Sequence, residues 1–237
     1  MVVDFPLKRI AKALFALVIV LSILHTASLL LHDAYNNQIT ELLVEKFSFD
    51  LERNFPTYFS SLILFSSSVL FFLIGSARKN NPGENNHKYW LGLGLVFLFL
   101  SADEAAHIHE HLDTDLIWGA YEAVGLLAWP WVLIYGGLVG FFVLAYFKFW
   151  LRLPSPFKWS YFATGAVYVG SALGFEMLEA FEYSTNQDTR TSTYYVLVSL
   201  EEFFEMSAIV FLVFINMKYL VTVFPQTSFS FSNEQNV

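Results

Sequence analysis

The sequence predicts an all-α, polytopic membrane protein, a bundle of six transmembrane helices with both termini cytoplasmic. Three observations carry this reading. The 237 residues are 56% hydrophobic and 19% aromatic with a mean hydropathy of +0.51, too apolar for a soluble domain of that length. Apolar runs recur along the chain with short polar stretches between them, and six spans of ~20 residues would take about half of it. The basic residues then sort by side. Ten of the thirteen Lys and Arg fall in segments on the side of the N-terminus, and Lys46, Arg53 and Arg190 fall opposite. Cytoplasmic loops carry that kind of excess.

Composition also excludes. There is no cysteine, so disulfides, thiolate zinc sites and cysteine-bound iron–sulfur clusters are out, and any metal must be held by imidazole and oxygen. A net charge of −8 leaves no basic patch for nucleic acid. Residues 1–224 read as one transmembrane domain and 225–237 as a disordered cytoplasmic tail. The expected location is the cell membrane, and more narrowly the inner membrane of a bacterium.

The first span is expected at 11–31, behind Lys8, Arg9 and Lys12. Its apolar stretch outruns the ~7–15 residues of a signal-peptide core, and no small-residue cleavage site follows, which favours a retained helix. Residues 32–56 are polar and acid-rich and read as an external loop with a short surface helix around Glu41 and Glu45. The second span, 58–76, closes on Arg78, Lys79 and the turn-rich NNPGENN. The third, 89–110, changes character midway. Its apolar part is only 12 residues, ~18 Å of helix against a hydrocarbon core of ~30 Å, so a crossing helix must carry Asp103, Glu104 and His107 into the bilayer. The fourth span is 126–148 with Pro130 as a kink, or a break near Gly125 followed by a shorter span. Asp113 and Asp115 cap whatever follows the third span. The fifth span is 159–183 and the sixth 194–220. The sixth has an uncharged, largely apolar run of only 12 residues, 206–217, and must take in its glutamates to cross.

The chemistry is expected where these spans hold their acids. On a continuous helix at 100° per residue, with His107 at zero, Asp103 falls at about −40°, Glu104 at about +60°, Glu110 at about −60° and His111 at about +40°. Only His109 points away and reads as a surface group. The fifth span adds Glu176 and Glu179, the sixth Glu201, Glu202 and Glu205, and the first His25, with Ser28 and His32 on its face. Counted from their basic flanks, these groups lie 13–21 residues in, all in the outer half of the bilayer. Eight carboxylates, Glu110 included, would meet there with no Lys or Arg to offset them. Like charges at low dielectric cannot all ionise. Metal ions, bound protons or a basic partner subunit must supply the positive charge.

The leading metal ligands are Glu104, His107, Glu176, Glu179, Glu202 and Glu205, followed by Asp103, His111, His25 and Glu201, with Asp103 and Glu201 also the candidate catalytic groups. Glu104 and His107 form an ExxH pair, and ADEAAH and LEEFFE resemble pieces of the di-iron carboxylate pattern, which has two ExxH pairs and two further glutamates. This sequence has one ExxH, so the second histidine would be His111 or His25. Two divalent ions, Fe or Mn, fit this oxygen-rich set, with Zn as the alternative; Met177 and Met206 beside the glutamates read as packing rather than copper ligands. Three functions fit: an oxidoreductase on a lipophilic substrate, an intramembrane zinc hydrolase of a lipid ester or amide, and a cation or proton transporter or non-catalytic subunit. Partners are membrane lipids, the lipophilic substrate, and a second copy of the chain or another membrane subunit. Tyr121, Glu122, Trp129 and Trp131 read as an interfacial belt, and the run 66–68 with Gly136, Gly137 and Gly140 as helix-packing contacts.

Overall fold

A computed structural model describes residues 6–79, 86–112 and 124–224. Among the described residues the chain is all-α. Seven helices follow one another: α1 (Leu7–Tyr35), α2 (Gln38–Phe47), α3 (Phe55–Lys79), α4 (His87–Ala106), α5 (Trp131–Leu151), α6 (Ser155–Asn186) and α7 (Ser192–Val223). Single 3₁₀ turns lie at Glu110–Leu112 and Gly125–Leu127. Five of the helices, α1, α3, α4, α5 and α7, are long and apolar enough to cross a membrane, which makes this a multi-pass membrane protein. Helix α6 equals the longest of them at 32 residues, but its glutamates and frequent Gly, Ser and Tyr lower its hydropathy. Large apolar side chains face outward throughout, with Leu144 at 79% and Phe141 at 73% exposure, as expected of a surface solvated by lipid tails.

Local chemistry sets the boundaries. Asn36, in the left-handed region at φ 41°, ends α1 by donating its N–H to the His32 carbonyl. Asn37 opens α2 with a capping box: its Oδ1 accepts from the Ile39 and Thr40 amides at 2.9 and 3.1 Å, and Thr40 Oγ1 accepts from the Asn37 amide at 3.1 Å. The link from α2 to α3 is folded around Asn54. Its Nδ2 donates to the Ser48 and Leu51 carbonyls, both at 2.6 Å, while its Oδ1 accepts from the Thr57 amide at 3.1 Å and so caps α3. Pro130 sits at the N-cap of α5 and introduces no kink. The predicted fourth span therefore starts late, after Gly125 at φ +66° has broken the chain; a non-glycine residue would be strained there.

Packing is uneven. Helices α3 and α4 form a close antiparallel pair, with Ser68 Oγ donating to the Gly94 carbonyl at 2.7 Å and Ser61 donating to the Ser101 carbonyl at 2.8 Å. Gly94 lies against Phe72 and Gly75 against Leu91, so these glycines are what allow the approach. Helices α6 and α7 form a second pair, and α7 also packs on α1 and α3 along Met206, Ile209, Val213, Asn216 and Tyr219. At the end away from the acids, Phe71, Trp90, Phe149, Tyr161 and Tyr219 make one aromatic cluster. Arg78 donates to Tyr219 Oη at 2.5 Å there, and its guanidinium lies over the Phe224 ring at 5.2 Å.

Helix α5 stands apart. It touches the bundle near its two ends, and the predicted packing glycines have no neighbours: a Cβ at Gly136, Gly137 or Gly140 would meet nothing within 4 Å. That corrects their reading as helix contacts. Of the serine run, Ser68 and Ser67 are buried in the α3 interface, but Ser66 bonds its own helix at Leu62. Gly94→Leu is accordingly expected to lower stability by about 1–3 kcal/mol through overpacking against Phe72, whereas Gly137→Leu leaves it unchanged. Thermal unfolding of the two variants in detergent reads the difference.

Candidate functional site

The last turn of α4 departs from the continuous helix expected through residue 110. The helix stops at Ala106, and His107 caps it in the left-handed region at φ 52°. The cause is Asp103. Its carbonyl accepts from the His107 amide at 2.6 Å, and its Oδ1 takes the His109 amide at 2.9 Å, a side-chain bond that competes with helix continuation. Glu104, His107 and His111 therefore do not share one helical face. Asp103 Oδ2 also accepts from Tyr135 Oη at 2.9 Å and pairs with His109 Nδ1 at 3.2 Å. His109, expected to point away, is a partner of the acid centre and rests against Trp131, with ring centroids 4.7 Å apart.

His107 turns toward the α2–α3 link, where it is paired through Nδ1 with Glu52. The same link places Asp50 within hydrogen-bond reach of Tyr194. It is pinned from behind by His25. The His25 ring stacks on Phe49 at 4.4 Å, its Nδ1 accepts from the Phe49 amide at 3.0 Å, and its Nε2 meets Ser199 Oγ at 3.0 Å. Ser199 donates its own proton to the Tyr195 carbonyl, so His25 carries hydrogen on Nε2 and is fully bonded within the protein. It does not join the acids. His111 does not either: Nδ1 donates to the His107 carbonyl at 2.7 Å and the residue is exposed. Ser28 bonds the His25 carbonyl, and His32 reaches Thr40.

Helices α6 and α7 bring the densest cluster. Glu176, Glu179 and Glu201 each offer a carboxylate oxygen, and these atoms all lie within 4.8 Å of one another, a group that could hold a metal ion. Glu201, expected as a catalytic group and only a second-choice ligand, is thus the third member rather than Glu202. Glu179 is 3% exposed, and its Oε1 is buried with no hydrogen-bond partner. The Trp131 indole donates to Glu176 Oε1 at 3.2 Å, so Trp131 is part of the site and not of a lipid-facing belt. Glu104, held by Ser60 of α3, lies within electrostatic range of Glu202 and Glu205, and Glu205 in turn of Glu176 and Glu179. Thr191 fixes the register of the pair by capping α7 at Tyr194 and donating to Glu182 at 2.8 Å.

One cavity of about 1380 Å³ joins these groups. Asp50 and Glu52 line it from the link, Asp103, Glu104, His107 and His109 from α4 and the turn after it, and Glu176, Glu179, Glu201, Glu202 and Glu205 from α6 and α7. No Lys or Arg lines it among the described residues. Asp50 and Glu52 escaped the sequence reading because their link looked like an external loop; its apolar Phe49 between polar neighbours was the one available signal. Met206 is wholly buried in the apolar core, as packing. The predicted roles of Asp113, Asp115, Tyr121 and Glu122 and of the 225–237 tail lie outside the described residues, as does the Glu110 side chain.

This arrangement, acids from separate helices converging on one buried centre, belongs to a helical membrane protein with a candidate carboxylate metal site. The family described as Domain of unknown function (DUF8692) matches residues 12–218, and the chain belongs to that family. No curated protein and no solved structure matches it. His25→Ala is expected to cost about 1–3 kcal/mol by leaving the Phe49 amide buried without an acceptor. Limited proteolysis should then cut more readily within residues 48–54, with metal content unchanged.

Proposed function

We propose that the chain is a metal-dependent membrane oxidoreductase, holding two divalent ions, Fe or Mn, in the acid cluster and acting on a lipophilic substrate. The observation that carries this is Glu179. A carboxylate oxygen buried without a partner beside two further carboxylates is costly unless a metal ion or a proton completes it, and an ion answers all three carboxylates at once. Glu176, Glu179 and Glu201 would hold the first ion, and Glu104, Glu202 and Glu205 are the donors left for the second, with the imidazoles of His107 and His109 lining the cavity on the α4 side. The donor set is oxygen-rich and thiol-free, which suits Fe or Mn. Such ions supply one-electron redox chemistry and Lewis acidity.

The chain's own residues would manage protons and exclude water. Asp103 is held at both oxygens by Tyr135 and His109, so its position is fixed and a proton can pass between it and His109 Nδ1 at 3.2 Å. Glu179 and Glu201 are close enough to share a hydrogen bond, which one proton can serve when no ion is present. The apolar remainder of the cavity keeps bulk water from the acids and supports a lipophilic substrate.

Elemental analysis of the purified protein tests this reading first. About two equivalents of Fe or Mn are expected, falling by at least about half in Glu179→Ala, because a site that loses one carboxylate of three loses charge and geometry together. Zinc as the only native metal would move the assignment to a hydrolase, and trace metal indifferent to Glu179→Ala would remove the site.

The membrane topology that goes with this function has six spans, α6 included, with both termini cytoplasmic in a bacterial inner membrane. The ten-to-three split of basic residues supports it. Because the chain has no cysteine, single replacements report cleanly. Asn36→Cys should react with an impermeant maleimide in intact cells, and Ser155→Cys only after permeabilisation.

A further inference from the structure

Below the acids the cavity continues as an apolar passage behind α5, reaching Trp90, Phe149 and Leu153 at the aromatic end. Helix α5 crosses this passage like a bar fixed at two places. At the acid end it is held by Tyr135 to Asp103 and Trp131 to Glu176. At the other, Tyr146 Oη donates to the Tyr89 carbonyl at 3.1 Å and the Trp150 indole to the Lys158 carbonyl at 3.0 Å. Between these clasps no hydrogen bond or ring contact joins residues 136–145 to α4 or α6 among the described residues. The lips are apolar and exposed: Leu95 and Phe99 on α4, Leu138 and Phe141 on α5, all of them lining the passage.

We propose that this passage binds a lipid with a long hydrocarbon chain and a head that carries no negative charge, entering sideways from the bilayer past α5. The head lies at the acids and the chain runs toward the aromatic end. Three observations argue it. The wall makes little hydrogen-bonding demand on the chain: Tyr161, Tyr146, Trp150 and Thr164 direct their polar atoms to acceptors in the protein, and the buried Trp90 indole N–H at the far end is the exception. The passage is long in the right direction. From Asp103 to Trp90 is 13 residues of helix, ~20 Å, more than the ~15 Å of one leaflet, so a stretched chain is accommodated past the midplane. The polar end has the wrong sign for an acid. Carboxylates are normally recognised by Arg or Lys forks, and here nine carboxylates line the cavity with neither; two divalent ions would offset only four of their charges. A long-chain alcohol or aldehyde fits where a fatty acid does not. This assignment of the head rests on the acid cluster being the reacting end.

Gly165 provides the test. It lines the passage on α6, 11 residues or ~16 Å below Glu176, and a Cβ there meets nothing within 4 Å, so a larger side chain fills the passage without disturbing the helix. The protein in lipid nanodiscs is titrated with tritiated hexadecanol, and with decanol and palmitate as competitors. Saturable hexadecanol binding is expected, with palmitate weaker by at least about ten-fold. In Gly165→Phe hexadecanol should weaken by at least about ten-fold while decanol binds as in the native chain, and Gly165→Ala should retain both. Metal content is measured on the same samples. Equal hexadecanol binding by the native chain and Gly165→Phe, or palmitate as tight as hexadecanol, overturns the proposal even if the ions are present. Length-dependent binding by a protein that holds no metal sustains it and overturns the redox reading alone.

Discussion

Nine carboxylates facing one cavity with no lysine or arginine among them is the constraint on which the rest of this structure turns. Each ionised group taken out of water costs several kcal/mol, and each neighbour of the same sign adds to it. Such a cluster persists only where the surrounding packing is strong enough to hold it together and something positive is drawn in. The two tight helix pairs, α3 with α4 and α6 with α7, are that packing. Each contributes acids at its rim, so separating the pairs would relieve the repulsion only by opening the apolar interface that Tyr219, Ile209 and Met206 fill.

The scaffold is graded in stiffness across the site. Glu176, Glu179 and Glu201 project from within long helices, about two to three turns from the ends whose register is locked at the Thr191 cap, which suits precise placement of a charged centre. Asp103, His107 and His109 come from a helix end and the turn beyond it, and Asp50 and Glu52 from a link. These are held by specific side-chain bonds rather than by a backbone ladder, so their placement depends on a few named partners.

Much of this was legible in the sequence. The helical stretches matched because a run of apolar residues between basic flanks has few other solutions, and all six predicted spans fall on long helices except where chain breaks intervene. Asp103, Glu104, Glu176, Glu179, Glu201, Glu202 and Glu205 were brought to one cavity as depth counting implied. What failed was the assumption that helical geometry continues. The 100° arc through His111 is valid only if Asp103 leaves the backbone alone, and its capture of the His109 amide depends on Tyr135 and Trp131, which approach from a different helix. The pairing of His25 with Phe49, 24 residues away, was equally invisible, since nothing local marks an amide that lacks an acceptor. The α5 glycines misled for a related reason: small residues permit close approach but do not supply the neighbour.

Helix α5 has a mechanical consequence of its own. A rod clamped at both ends bends most easily at its centre, and the centre of α5 is where Gly136, Gly137 and Gly140 thin the backbone and no neighbour props it. Any bow in it would then answer to the packing of the surrounding lipid more readily than a bow in a helix propped along its length. A stiff, tightly packed bilayer would press the rod inward and a loose one would let it spring out. The width of the passage would then respond to how tightly the surrounding acyl chains pack.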